Sequence, residues 1–249
     1  MTLGAGAAAI VDNSVDRNSN DPRPVLIVTG LVQEARIAAG PGMIVICSSS
    51  DPRQLRSLLA TLDSTTFRGV ISFGVAGGLD PSLRSGDVVV ATEVMAGDTR
   101  FLAGLALNEE VIARVALRRR RVVRGGLAGV EQVIAATACK AALHSETGAA
   151  AVDMESHIAA AYAAEASIPF AALRVISDPA HRALPVVARK AIKPNGDLDL
   201  LQIMGSVVRN PRTLRALVST GIDFNRALRS LRGCRGFLPG GEALVAANF

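Results

Sequence analysis

Two acidic stretches separated by an apolar run carry the chemistry of this chain. Ala151-Val-Asp-Met-Glu-Ser156 is followed by Arg174-Val-Ile-Ser-Asp178, the end of the strand-like run that begins at Phe170 and extends to Ile176. Ser177 and Asp178 therefore fall where that strand ends. In an α/β protein, ligands bind and proton chemistry is commonly placed at the C-terminal end of a buried strand. A third stretch, Gly74-Val-Ala-Gly-Gly78, follows the apolar run Gly69 to Phe73 and can bring bare backbone against a ligand.

The elements that must position these residues are legible as short apolar runs. Pro24 to Gly30, Met43 to Cys47, Gly69 to Phe73, Asp87 to Val94, residues 129 to 136 and Phe170 to Ile176 read as strands, with a further short strand after Arg121 to Arg124. Gly74 to Gly78 reads as a turn. Helices are expected over Val32 to Ala39, Arg53 to Leu62 (capped by Asp51, with Pro52 at its first position), Asn108 to Arg119, Ala138 to Glu146 and Val152 to Glu165. From Pro185 onward the pattern turns helical, with Leu198 to Val208, Pro211 to Ile222 and Phe224 to Leu231. Strands in the middle with helices between them predict a single-domain α/β/α sandwich around a central mixed, mainly parallel sheet. The expected organisation is a disordered leader over 1–22, the domain over 23–233 and a loose tail over 234–249.

Composition narrows the classes. The chain has 249 residues, about half of them apolar, with 3% aromatic and no Trp. That is enough for a sizeable core, and it argues against single-stranded nucleic acid binding, which uses aromatic stacking platforms. No nucleic acid partner is expected. The formal charge of +5 leaves room for an anionic partner without choosing one. Cys47, Cys139 and Cys234 form no pairing or metal spacing, nor do His144, His157 and His181, so no metal and no disulfide framework is expected. These features point to a cytoplasmic protein, with peripheral contact at the inner membrane surface as an extension. No apolar segment approaches the length that spans a bilayer.

Taken together, the motifs resemble the nucleoside phosphorylase and nucleosidase superfamily. The Gly-rich stretch precedes Gly86-Asp-Val-Val-Val90, then come Val152-Asp-Met-Glu155 and Arg174-Val-Ile-Ser-Asp178, in the family's order and spacing. The resemblance covers roughly residues 24 to 182. It implies that Asp178 is the catalytic acid that protonates a departing purine, with Ser177 orienting it. An aspartic acid can donate at neutral pH only if its surroundings favour the neutral form, so a direct pairing with Arg174 would work against the role. The resemblance further implies that Glu155 accepts hydrogen bonds from the ribose hydroxyls and Met154 packs on the sugar face. Register alone puts Gln132 and Val133, with Ser177, at the purine.

Two departures bear on the attacking group. Val75 stands where the family often has a hydroxyl, and Glu34 stands one position out of register for the residue that activates water in hydrolytic members. Arg36 suits a phosphate instead, since a guanidinium fork matches phosphate oxygens, with backbone N–H groups from Gly30 and Gly77. The favoured expectation is thus a pentosyltransferase of the purine nucleoside phosphorylase type. It would need no cofactor and use inorganic phosphate as co-substrate. The opening Val28 to Gly40 and the stretches Ile192 to Asp199 and Val208 to Arg215 are similar to hopanoid-associated phosphorylases. That similarity implies release of adenine from adenosylhopane in hopanoid biosynthesis, a lipid-linked substrate, with apolar and basic C-terminal helices suited to a membrane surface. The family also implies a homo-oligomer. A hydrolytic nucleosidase acting on methylthioadenosine or S-adenosylhomocysteine-type nucleosides is the alternative enzyme. A catalytically silent nucleoside-binding protein is the alternative outside enzymes.

Overall fold

The structure, a computed structural model, describes residues 9–11, 21–104, 121–185 and 213–238. Within these, the apolar runs form β1 (Ala9–Val11), β2 (Val25–Thr29), β3 (Met43–Cys47), β4 (Gly69–Gly78), β5 (Val88–Ala96), β6 (Thr99–Leu102), β7 (Val122–Gly129), β8 (Ala151–Asp153) and β9 (Phe170–Asp178). The helices are α1 (Val32–Ala38), α2 (Pro52–Ala60), α3 (Thr137–Thr147), α4 (Ser156–Glu165) and α5 (Thr213–Gly233). All the strands join one sheet in the order β1-β6-β5-β7-β8-β4-β2-β3, with β9 between β4 and β5. Among the described pairings β5 runs antiparallel to β6 and β9, and β8 antiparallel to β4; the rest are parallel. The sheet is mixed and mainly parallel, as expected. Its middle closes on itself, because β4 bonds to β8 and β9, β9 to β5, β5 to β7, and β7 to β8.

Both faces of the sheet are covered, which is why the strands read as unbroken apolar runs. Side chains alternate along a strand, so β2 sends Val25 and Ile27 one way and Leu26 and Val28 the other. Val25 and Ile27 join Ile71, Phe73 and Leu173 under Ala38 of α1 and Ala227, Leu228 and Leu231 of α5. Leu26 and Val28 join Val70, Phe170 and Ala172 under Leu55 and Leu59 of α2 and Ile158, Ala159 and Ala163 of α4. Alanines on α4 let that helix lie close to the sheet. Asp51 caps α2 as expected, accepting from the backbone N–H of Arg53 at 2.8 Å, with Pro52 at the first helical position.

Several elements differ from expectation for local reasons. Gly74 to Gly78 is the end of β4 and not a turn, because Gly77 and Gly78 pair with Val152 and Ala151 across the sheet. The residues expected to open a helix at Val152 instead form β8, held between β7 and β4, and α4 starts only at Ser156. The strand expected over 129–136 ends at Gly129, and the rest is a connection to α3. The two helices expected on either side of Asp223 are one, since a single glycine such as Gly221 costs a helix only about 1 kcal/mol. Ala9–Val11, inside the expected leader, pairs parallel with Thr99–Phe101. Cys234 and Leu238 are buried, so the chain just past α5 is packed and not loose. The helices expected over 108–119 and 198–208 lie outside the described residues.

Candidate active site

A cavity of about 310 Å³ opens where β4, β8 and β9 end. Gly77, Val152, Asp153, Ser177 and Asp178 come from those strand ends, Met154 and Glu155 from the start of α4, and Ser50 from the connection after β3. Val130, Val133 and Ile134 close one side, while Leu184 and, from α5, Leu217 and Phe224 form an apolar wall. Ser49 and Ser50 hold φ of 53° and 57°, a left-handed conformation that non-glycine residues adopt at a cost and that recurs at ligand sites.

Beneath the cavity Arg174 is fully buried among carboxylates. Its Nε lies 2.8 Å from Asp153 Oδ2 and its Nη2 3.6 Å from Glu155 Oε2, and Nη2 also donates to Ser72 Oγ at 2.6 Å. Asp153 further accepts from the backbone N–H of Glu155 and of Ser156, at 3.0 and 2.8 Å, which fixes the start of α4. Two glycines make room for this cluster. A Cβ at Gly74 would stand 2.5 Å from Arg174 Nη1, and one at Gly30 would stand 2.6 Å from Glu155 Oε1. Burial pushes Glu155 up to about 7, against the pull of Arg174 and with the help of Asp153 and Glu34. Ser48 Oγ donates to Glu155 Oε1 at 3.3 Å.

Glu34 does not line the cavity. It is buried, and one oxygen accepts from the N–H groups of Gly30 and Leu31 at 2.8 and 2.9 Å while the other accepts from that of Val75 at 2.8 Å. Burial raises its proton affinity, opposed by Arg174 and by these bonds. Its work is to tie the end of β2 to the glycine-rich end of β4.

Asp178 is almost fully buried, and its partner is Lys140, not Arg174. Lys140 Nζ lies 2.6 Å from Oδ2, and Ser177 Oγ donates to Oδ1 at 2.6 Å. Burial raises the proton affinity of Asp178, while Lys140 and Ser177 oppose the shift.

The structure thus gathers Gly77, Val133, Met154, Glu155, Ser177 and Asp178 around one cavity. Three expectations are corrected. Gln132 is exposed and outside the cavity, because the chain turns after Val130 so that Val133 and Ile134 face inward. Arg36 lies in a separate cleft with Gln33, Ile37, Arg232 and Arg235: on a helix it stands about 200° around from Glu34, which turns to the backbone of Gly30 and Val75. The N–H of Gly30 is taken by Glu34 and is not free for an anion. Lys140, Ser48, Ser50 and the apolar wall were missed. Lysine in an alanine-rich helix gives no signal of burial, and the serines follow a strand with no motif around them. Among the described residues no group of three or more His, Cys, Asp or Glu is placed to hold a metal, and no helix is long and apolar enough to cross a membrane.

The Phosphorylase superfamily pattern matches residues 20–197, and the chain belongs to that family. Among curated proteins it is similar to the 5′-methylthioadenosine/S-adenosylhomocysteine nucleosidases of Mycobacterium bovis and Mycobacterium tuberculosis, each 27% identical over 202 residues, covering 63% of this chain and 79% of theirs. Its fold is shared with a 5′-methylthioadenosine/S-adenosylhomocysteine nucleosidase from Neisseria meningitidis, at a TM-score of 0.63 and 17% identity over 87% of this chain and 98% of that one. It is shared equally with the futalosine hydrolase of Helicobacter pylori, at 0.62 and 17% over 90% and 98%. The named relatives are nucleosidases, which are hydrolases. That finding overturns the expected pentosyltransferase with phosphate as attacking co-substrate.

Proposed function

We propose that this chain is a hydrolytic nucleosidase that breaks the N-glycosidic bond of a purine nucleoside, releasing adenine from a 5′-substituted adenosine of the methylthioadenosine type. The observation that carries this is Asp178, a buried carboxyl group at the end of β9 in the same cavity as Met154 and Glu155. Cleavage leaves the sugar cation-like and puts the bonding electron pair on the base. An acid beside the base then protonates it as it leaves. Glu155, with Ser48 behind it, takes the ribose hydroxyls and steadies the cation-like sugar. Met154 packs on the sugar face, and Val133, Ile134 and Val152 sandwich the flat base. A water molecule entering on the sugar side completes hydrolysis. Asp153 and Glu34, whose oxygens are already engaged, keep this machinery in place.

The test is to quantify free adenine from methylthioadenosine and S-adenosylhomocysteine in buffers with and without phosphate. Release at the same rate in both buffers is expected. No release, or release only with phosphate, would overturn the assignment.

A longer apolar substituent is a second reading, favoured by the α5 wall. Leu217 and Phe224 line the cavity, and Val218 and Ile222 stand exposed on the same helix. A hydrocarbon tail such as that of adenosylhopane would leave the cavity over apolar surface. Adenosylhopane belongs in the same assay, and faster adenine release from it than from methylthioadenosine would favour this substrate.

A further inference from the structure

Helix α3 inverts the usual arrangement of a surface helix. Lys140 is its buried residue, at 0% exposure, while the alanines and Cys139 beside it are exposed. An ammonium taken out of water is costly unless it is paired and hydrogen-bonded. Lys140 Nζ meets Asp178 Oδ2 at 2.6 Å and the backbone carbonyls of Asp178, Pro179 and Arg182 at 3.2, 3.2 and 3.1 Å. A lysine has three protons to give, so these acceptors take all of them. An apolar residue could fill the space, but it would leave these carbonyls and Asp178 Oδ2 without their donor.

The ion pair also poses a chemical problem. A carboxylate held between an ammonium and a hydroxyl has no proton to hand to a leaving base. We propose that Lys140 is the proton reservoir behind Asp178, acting through its carboxyl group on the departing purine. This rests on the nucleosidase reading above. Asp178 lines the cavity beside Gly77, and its Oδ2, the oxygen bonded to Lys140, stands 3.3 Å from where a Cβ on Gly77 would lie. As the glycosidic C–N bond breaks and its electron pair moves to the purine, an N–H bond of Lys140 breaks and an O–H bond forms on Asp178. That O–H bond then breaks as an N–H bond forms on the purine. Water supplies hydroxide to the sugar carbon, and the proton it loses passes back through the Asp178 carboxyl group, which lines the cavity, to the neutral amine. The net reaction is nucleoside plus water giving purine plus sugar. The other ionisable groups around the pair are His144, one turn along α3 and bonded to the Ala149 carbonyl, and Asp223, which is paired with Arg182 and Arg226.

The test compares leaving groups. Lys140→Met and Lys140→Arg are assayed with methylthioadenosine, whose base needs a proton, and with 4-nitrophenyl riboside, whose nitrophenolate leaves without one. With methylthioadenosine both variants are expected to lose kcat by about 10²-fold, within the range of general acid catalysis, with little change in KM. The arginine variant fails because a guanidinium does not release its proton. With the nitrophenyl riboside the loss should be far smaller, within a few-fold. Equal losses with both substrates, or full rescue by arginine, would make Lys140 a structural prop and overturn the proposal. Wild-type adenine release that depends on Asp178 but not on Lys140 would overturn it while leaving the nucleosidase assignment intact. A wild-type protein inert toward every nucleoside would instead remove the assignment itself.

Discussion

At the scale of single residues, proton placement decides what the site can do. Asp178→Asn keeps the size and the Ser177 contact but cannot supply a proton, so kcat for adenine release should fall by about 10²- to 10⁴-fold with KM nearly unchanged. Steady-state kinetics on methylthioadenosine checks this. Glu155 gives a second prediction, from linkage. Its proton affinity rises from the ordinary 4.5 to about 7 on folding, first because burial removes water from the carboxylate. Between these values the folded chain holds a proton that the unfolded chain has lost. Stability linked to Glu155 is therefore intact below about 4.5 and lost as the pH rises through about 7. Melting curves between pH 5 and 8 should show that decline, and Glu155→Gln should flatten it.

Which residues could be found in the sequence follows from the same physics. Asp178 and the Met154-Glu155 pair were legible because a strand end and a helix start fix where their side chains go, and their order along the chain carries that geometry. Arg36 was misassigned because nearness to Gly30 in sequence says nothing about the face of a helix; two positions put it on the far side of α1 from Glu34. Lys140 was invisible because its partners come from the end of β9 and the residues after it, about 40 positions away, and a lone lysine between alanines reads as solvated.

At the scale of elements, the strand ends and α5 divide the labour. Gly74 in β4 lies against the buried guanidinium of Arg174 and the carboxylate of Glu34. Gly74→Ala should cost about 1–3 kcal/mol, the usual penalty for overpacking, because neither neighbour has water to retreat into. Thermal or urea unfolding measures it. Helix α5 is fastened by Asp223, whose carboxylate lies 2.8 Å from Arg182 and whose carbonyl accepts from Ser85 Oγ at 2.8 Å. Asp223→Ala removes the first of these. KM for a nucleoside with a 5′ substituent should then rise about fivefold, equivalent to about 1 kcal/mol for a partly exposed pair, while kcat holds. The sequence reading placed two helices, ending at Ile222 and starting at Phe224, where the structure has one. The ion pair that makes Asp223 belong inside the helix is contributed by a residue after β9 and leaves no trace in local composition.

For the molecule as a whole, one sheet with both faces covered ties stability to the site. Phe73 is fully buried in the middle of β4, which bonds to β2, β8 and β9. Phe73→Ala should cost about 3–5 kcal/mol and lower the urea midpoint, with activity and fluorescence lost over the same denaturant range if the core unfolds as one unit. The layered α/β plan was legible from the alternation of apolar runs and helical stretches. The closure of the sheet was not, because it depends on β8, three residues long and hidden inside a helix-like sequence.

That closure has a bearing on inhibitor chemistry. Asp178 ends a strand braced into the closed part of the sheet, and Glu155 stands two residues past another, so the floor beneath a ligand yields little. The wall opposite is formed by Leu184 and by helix α5, which packs through Ala227, Leu228 and Leu231 and is tied by Asp223. Ligand features that reach the floor should therefore carry over among members of the superfamily, whereas selectivity for this enzyme must be sought in groups pressed against Leu184, Leu217 and Phe224.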